Sequence, residues 1–324
     1  MDDGAAMARA IELAAGVRGT TSPNPWVGCV IDTGSALIEG ATRPPGGLHA
    51  EAVALQAAGA AARGSTLYCT LAPCSHHGRT PPCADAIVAA GLRRVVVGIE
   101  DPDPHVSGKG IAGLRAAGIE VEVGVGAAEI QAQLAPYLKH RRTGRPYVVL
   151  KLAASLDGRT AAPDGTSQWI TGEEARRDAH RLRAESDAVL VGAGTVRADD
   201  PALTVRLTEG RDPLRVVLGK APDGAKVHPA LEVAGDLGEV LGELGARGVL
   251  QLLVEGGATV ATSFHRGGFV DRYVIYLAAV LFGGDDGRGL FSGPGARSIA
   301  EVWRGRIVAV QSVGADIRID MEAA

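Results

Sequence analysis

The sequence predicts an α/β protein made of two consecutive domains, and three observations lead there. Short Val- and Ile-rich runs alternate with Ala- and Leu-rich segments of helical period, the pattern of sheets covered by helices. The 324 residues exceed what one hydrophobic core usually organises. A charged seam with Gly and Pro, Lys139-His140-Arg141-Arg142-Thr143-Gly144-Arg145-Pro146, interrupts the apolar pattern near the middle. The expected domains are therefore 1–145 and 146–324.

Within the first domain, the Ala-rich run 5–16 predicts a helix, 27–31 a strand and 36–39 a strand returning beside it. A helix is expected over 49–62, ahead of Gly64. Strands at 65–71, 94–98 and 119–123 alternate with helices at 84–90, stopped by Gly91, and 110–117, stopped by Gly118. Beyond the seam, apolar runs predict strands at 147–153, 188–191, 214–218, 249–254, 272–280, 307–313 and 316–319. Helices are expected over 173–184, 237–244 and 259–265, the last opened by Glu255-Gly256-Gly257.

A net charge of −4 and only 4% aromatic residues argue against a nucleic-acid-binding surface, which wants basic stripes with stacking aromatics. No run approaches 18 uninterrupted apolar residues, and the acidic start lacks the basic region of an export signal, so neither membrane nor secretion is expected. Four cysteines in such a chain point to a reducing compartment and cytoplasmic residence.

Chemistry concentrates in His49-Ala50-Glu51, Pro73-Cys74 and Cys83. One imidazole and two thiolates give zinc three protein ligands and leave a fourth position open, the arrangement of a catalytic rather than a structural site. Glu51 is then the spare carboxylate that carries protons between water and a leaving amine. The pattern follows the H-x-E…P-C-x-x-C signature of zinc nucleobase deaminases, except that eight residues separate the cysteines. Residues two apart on a helix do not share a face, so His49 and Glu51 cooperate only if the metal sits at the helix end. A Cys74–Cys83 disulfide, or ligation by His76 or His77, are the competing readings. Cys29 and Cys69 lie in apolar runs and read as core.

The run Thr70-Leu71-Ala72-Pro73-Cys74-Ser75-His76-His77-Gly78-Arg79-Thr80-Pro81-Pro82-Cys83 accounts for the long spacing. With it, the first half resembles the deaminase half of the bifunctional deaminase/reductase family of riboflavin biosynthesis. The resemblance implies a cytidine-deaminase-like fold and a small phosphorylated diaminopyrimidinone as substrate, contacted by Asn24, His76, Arg79, Asp101 and Asp103. Arg79 suits a phosphate as a planar, permanently charged donor. Ala72 stands where the family usually has Glu, Thr42 where many members have His, and Asp103 where Asn is usual.

The second half carries Lys151 to Arg159, Ser167-Gln168-Trp169-Ile170-Thr171, Val191 to Pro201 and Val254-Glu255-Gly256-Gly257. In this order they resemble the reductase half of the same family, which implies a dihydrofolate-reductase-like fold and hydride transfer from NADPH to the ribose carbon. Lys151 and Asp199 are the implied proton-transfer groups. Ser167, Arg183, Leu203, Arg206 and Glu255 should meet the substrate, with both arginines as phosphate partners. Ala153, Trp169, Thr171, Thr195 and Asp199 should meet NADPH, together with Gly257, Ala258, Thr259, Val260, Ala261, Thr262 and Ser263. The interval 219–248 is short for the family by roughly a strand and a helix. Relatives associate, so a homo-oligomer is implied. The competing function is a reductase alone, with a deaminase half impaired at Ala72.

Overall fold

In the computed structural model, which describes residues 2–75, 82–103 and 108–324, helix α1 (Asp3–Gly16) begins where the Asp2 carboxylate accepts the Ala5 N–H. It lays a stripe of small residues, Ala6, Ala10 and Ala14, on strand β1 (Gly28–Asp32). Strand β2 (Leu37–Ala41) pairs antiparallel with one edge of β1. Helix α2 (Ala50–Ala58) follows, then β3 (Thr66–Leu71), antiparallel to the other edge of β1. Helix α3 (Cys83–Ala90), strand β4 (Arg94–Ile99), helix α4 (Lys109–Ala116) and strand β5 (Glu120–Val123) complete a sheet of order β2-β1-β3-β4-β5. β3, β4 and β5 run parallel. Helices α5 (Ala127–Gln133) and α6 (Ala135–Thr143) close this unit, which spans Met1–Gly144.

The helix expected over 49–62 is interrupted. Its α-helical part ends at Ala58, Gly59 adopts φ 52°, and a 3-10 turn covers Gly59–Ala62. Close packing then fixes the front of α2. A Cβ on Gly40 of β2 would lie 2.3 Å from the Ala50 carbonyl oxygen, so only glycine lets the first turn of α2 sit this low on the sheet.

The second unit, Arg145–Ala324, opens with β6 (Tyr147–Ser155) and the short β7 (Arg159–Ala161). Next come α7 (Glu173–Ala184), β8 (Ala188–Gly192), α8 (Ala193–Asp199), β9 (Leu214–Leu218), β10 (Leu231–Val233) and α9 (Leu237–Ala246). β11 (Gln251–Val254), α10 (Ala258–Arg266), β12 (Arg272–Ala278), β13 (Arg288–Gly289), β14 (Gly305–Val313) and β15 (Asp316–Ala323) finish it. The large sheet has the order β10-β9-β8-β11-β6-β12-β15-β14, and β7 pairs with β13 apart from it. From β10 to β12 the strands are parallel.

Strand alternation feeds two cores. Val148, Leu150 and Leu152 join Leu252, Val254 and the α9–α10 side chains Leu241, Leu244 and Phe264. Val149 joins Val189, Val191, Leu253 and Leu182 of α7 on the opposite face. Burial on both faces is why these parallel strands read as continuous apolar runs. β11 starts later than expected because the Asp187 carboxylate takes the N–H groups of Leu250 and Gln251, at 2.8 and 3.0 Å. The interval 219–248 still carries one strand and one helix, β10 and α9. Among the described residues, no helix is long and apolar enough to cross a membrane.

Candidate active sites

His49 is the N-cap of α2, with extended backbone (φ −71°, ψ 160°), and Glu51 lies in the first turn. The imidazole thus stands off the helix while the carboxylate rises from its mouth, so the two converge without sharing a helical face. Cys83 opens α3, and its N–H donates to Cys74 Sγ at 3.4 Å. His49 Nδ1 lies 3.6 Å from Cys74 Sγ and 3.4 Å from Cys83 Sγ, and the three donor atoms fall within 4.8 Å of one another. Tetrahedral zinc with usual Zn–S and Zn–N bonds sets its N and S ligands about 3.6 Å apart, so this donor set fits that metal. Both thiols are free rather than disulfide-bonded. Hydrogen bonding from Cys83, and then His49, lowers the Cys74 pKa, while Cys83 is pushed up by its neighbour and by burial. Helix α4 braces this loop: a Cβ on Gly110 would lie 2.1 Å from the Pro73 carbonyl oxygen.

His49, Cys74 and Glu51 line a cavity of about 180 Å³ with Asn24, Asp101 and Arg141. Glu51 is 4% exposed, and burial pushes its carboxyl up from the ordinary range. Asp101 is also raised, chiefly by burial. Tyr137 of α6 donates to its Oδ2 at 3.0 Å, and the Asp103 N–H to its Oδ1 at 2.9 Å. Asp103 itself pairs with Arg141 at 3.6 Å. Thr42 donates to and accepts from the Val27 backbone, so it ties down the start of β1. Ala72 lines the cavity without a polar group. His76 and Arg79 lie outside the described residues. Sequence reasoning missed Tyr137 and Arg141; α6 follows the zinc pattern by more than 50 positions and carries no motif of its own.

In the second unit, Lys151 of β6 approaches Glu255, at the end of β11, with Nζ 3.9 Å from Oε2. Burial lowers the Lys151 pKa. Arg183 of α7 forks onto Glu255, with Nη2 donating to Oε2 at 3.0 Å, and its Nη1 donates to the Thr204 carbonyl at 3.2 Å. Arg183 is therefore a brace for Glu255 more than an open phosphate site. Arg206 is exposed, and its N–H donates to His180 Nδ1 at 3.1 Å. Burial, and then Arg183 and Arg206, push His180 down to about 4. Asp199 ends α8, is exposed, and forms no ion pair with Lys151 among the described residues; Glu255 holds that place.

The carboxyl ends of parallel strands are where such sheets bind ligands. Here β6, β8 and β11 end near Ala153, Gly192 and Glu255. Gly257 caps α10, and its N–H donates to Thr195 Oγ1 at 3.3 Å. A Cβ on Gly256 would lie 2.5 Å from the Val260 Cβ, so only glycine lets the chain turn this tightly into α10, whose first turn is exposed at Gly257 and Thr259. Ala258 and Thr259 form this first turn. Thr262 and Ser263 turn their hydroxyls back to the Ala258 and Thr259 carbonyls. Val260, Ala261 and Leu203 belong to the cores, at 9%, 0% and 3% exposure, so packing accounts for their side chains. Trp169 is 65% exposed and stacked under Arg176, not packed in a core. Ser167 is half-buried in the preceding loop, and the Thr171 carbonyl accepts from Arg176 at 2.7 Å.

Residues 1–99 match the family model for the cytidine and deoxycytidylate deaminase zinc-binding region, and residues 146–319 match that for the RibD C-terminal domain. Riboflavin biosynthesis protein RibD of Escherichia coli is 40% identical, with both chains covered entirely. That of Mycobacterium tuberculosis is 42% identical, over 98% of this chain and 96% of the relative. Acinetobacter baumannii RibD superposes with a TM-score of 0.94 at 39% identity, covering 99% of each chain. A diaminohydroxyphosphoribosylaminopyrimidine deaminase/5-amino-6-(5-phosphoribosylamino)uracil reductase of Thermotoga maritima gives 0.90 at 35% identity, over 99% and 98%. Likeness through both halves disfavours a reductase alone. The chain belongs to the RibD family of riboflavin biosynthesis proteins, which join a zinc-binding deaminase domain to a reductase domain.

Proposed function

We propose that the first unit hydrolytically deaminates 2,5-diamino-6-ribosylamino-4(3H)-pyrimidinone 5′-phosphate and that the second reduces the ribosyl group of the product to ribityl with NADPH. The observation that carries this reading is the His49, Cys74 and Cys83 donor triangle with buried Glu51 beside it in one cavity. His49, Cys74 and Cys83 hold zinc, which when bound supplies the Lewis acidity that activates water. Glu51 accepts the proton at its carboxylate and returns it to the departing amine; its raised pKa suits both directions. Asp101, held by Tyr137, and Asn24 orient the base within the cavity.

In the second unit NADPH supplies the hydride when bound. The exposed first turn of α10, capped by Gly257 beside Thr195, would hold its phosphates, and the exposed Trp169 is available to meet it. Lys151 Nζ gives a proton to the sugar oxygen released as the ring opens, and Glu255, braced by Arg183, keeps that ammonium oriented. The chain works in the cytoplasm, in keeping with its free cysteines, and as a homo-oligomer, as the resemblance implies. Separate assays test the pairing of sites. Glu51→Gln lowers ammonia release by orders of magnitude and leaves NADPH oxidation with supplied aminouracil intact; equal loss of both activities sinks the two-site reading.

A further inference from the structure

We infer that Tyr276 of β12 is a positioning residue for Lys151: opposite Glu255, the face of its ring is the second wall that holds the Nζ ammonium. This rests on the reductase reading above. β6 and β12 are parallel neighbours, with Lys151 beside Val274 and Ala153 beside Tyr276. Alternate residues of a strand share a face, so Lys151 and Tyr276 meet diagonally. They do so on the side of the sheet where Tyr276 packs with Leu182 of α7. Lys151 Nζ stands over the ring, 5.9 Å from its centroid. That is within reach of the attraction between a cation and the negative face of an aromatic ring, which strengthens where water is excluded.

A second wall is needed because the first is shared. Glu255 Oε2 is 3.9 Å from Nζ, beyond a good hydrogen bond, and both Glu255 oxygens already accept from Arg183. Burial drives Lys151 toward the neutral amine; Glu255 opposes this and Arg183 adds to it. His180, also on α7, is pushed down to about 4 and brings no charge near neutral pH. The ring favours the ammonium without adding a charge of its own. It is also fixed in place. Tyr276 is 1% exposed, and its hydroxyl donates to Asp178 Oδ2 at 2.6 Å. Arg318 of β15 donates to the same oxygen at 2.6 Å and forks onto buried Asp320 at 2.9 and 3.0 Å. Arg272 completes the set at 3.0 Å from Asp320. Burial, and then the bond to Asp178, push the phenol well above its ordinary range, so it keeps its proton. The ring face, not the hydroxyl, is what Tyr276 offers Lys151.

The test follows the titration of Lys151 itself, through the Cε chemical shift of isotope-labelled lysine in the full-length zinc-loaded chain, assigned with Lys151→Arg. Tyr276→Phe keeps the ring and leaves that titration in place. A fully fluorinated Phe ring at the same position keeps the shape but reverses the charge of the ring face. It moves the titration down by about one pH unit, the effect of losing a desolvated cation–ring contact. Above that pH, kcat for NADPH oxidation with supplied aminouracil falls about tenfold with it, because the ammonium is that much scarcer. Should the fluorinated chain fail to fold, a difluorinated ring takes its place and gives a smaller movement in the same direction. Equal titrations with the plain and fluorinated rings overturn the inference. A movement in Tyr276→Phe as large as in the fluorinated chain overturns it too, since the hydroxyl would then carry the effect. The expected movement in a protein whose wild type oxidises no NADPH with supplied aminouracil keeps the contact and refutes the reductase reading instead.

Discussion

Glu51 shows what can be read at the scale of one residue. Its identity and spacing from His49 were legible because zinc hydrolysis needs a spare carboxylate beside three ligands. Its placement was less so: the helical geometry problem disappears only because His49 caps α2 instead of lying in it. Glu51→Gln should lower deamination about 10²- to 10⁴-fold with the zinc content preserved, measured by ammonia release and metal analysis. His180 gives a second prediction, on stability. Its folded pKa of about 4 lies below the ordinary 6.5, so the unfolded chain binds more protons between those values. Stability tied to this group is complete above pH 6.5 and is lost as pH falls toward 4. Melting temperatures at pH 7 and 4.5 should therefore differ less in His180→Gln than in the wild type; an equal difference contradicts it. Glu255 illustrates the limit of motif reading. Sequence placed it among substrate contacts and named Lys151 and Asp199 for proton transfer; its proximity to Lys151 arises from β6 and β11 lying side by side, which no local pattern encodes.

At the scale of elements, long periodic segments declared themselves and special turns did not. The helix at 173–184 and the strand at 214–218 have the bounds their patterns predicted, because an amphipathic stripe and a short β-branched run are local signals. Helix α8 was hidden in a Gly-rich motif, and β7 and β13 are too short to leave a pattern. Gly59 broke a helix that composition alone would continue. The bracing of the metal loop by α4 belongs here too. Gly110→Ala forces a methyl group onto the Pro73 carbonyl and should destabilise the first unit by about 1–3 kcal/mol while loosening zinc. Gly113→Ala, on the same helix with nothing within 4 Å, is the control and should be neutral or slightly stabilising. Differential melting with zinc quantitation checks both. Equal behaviour of the two variants removes α4 from the account.

For the molecule as a whole, two units carry two unlike sites, one at a helix start that gathers three metal-ligand donors, the other at the carboxyl ends of the parallel strands of a larger mixed sheet. The seam at 139–146 was visible because charge, Gly and Pro break an apolar pattern, whereas the contribution of α6 to the first site was not, since Tyr137 and Arg141 reach the cavity only through folding. Chelation offers a test at this scale. Removing zinc should abolish deamination and lower the melting of the first unit, while NADPH-dependent reduction of supplied aminouracil persists. The most direct measurement is mass spectrometry of the diaminopyrimidinone phosphate incubated with the full chain, first without and then with NADPH. The account predicts replacement of an amino group by oxygen in the first case and a further gain of two hydrogens in the second. An unchanged substrate without NADPH, or a two-hydrogen gain with no prior loss of the amine, would contradict it.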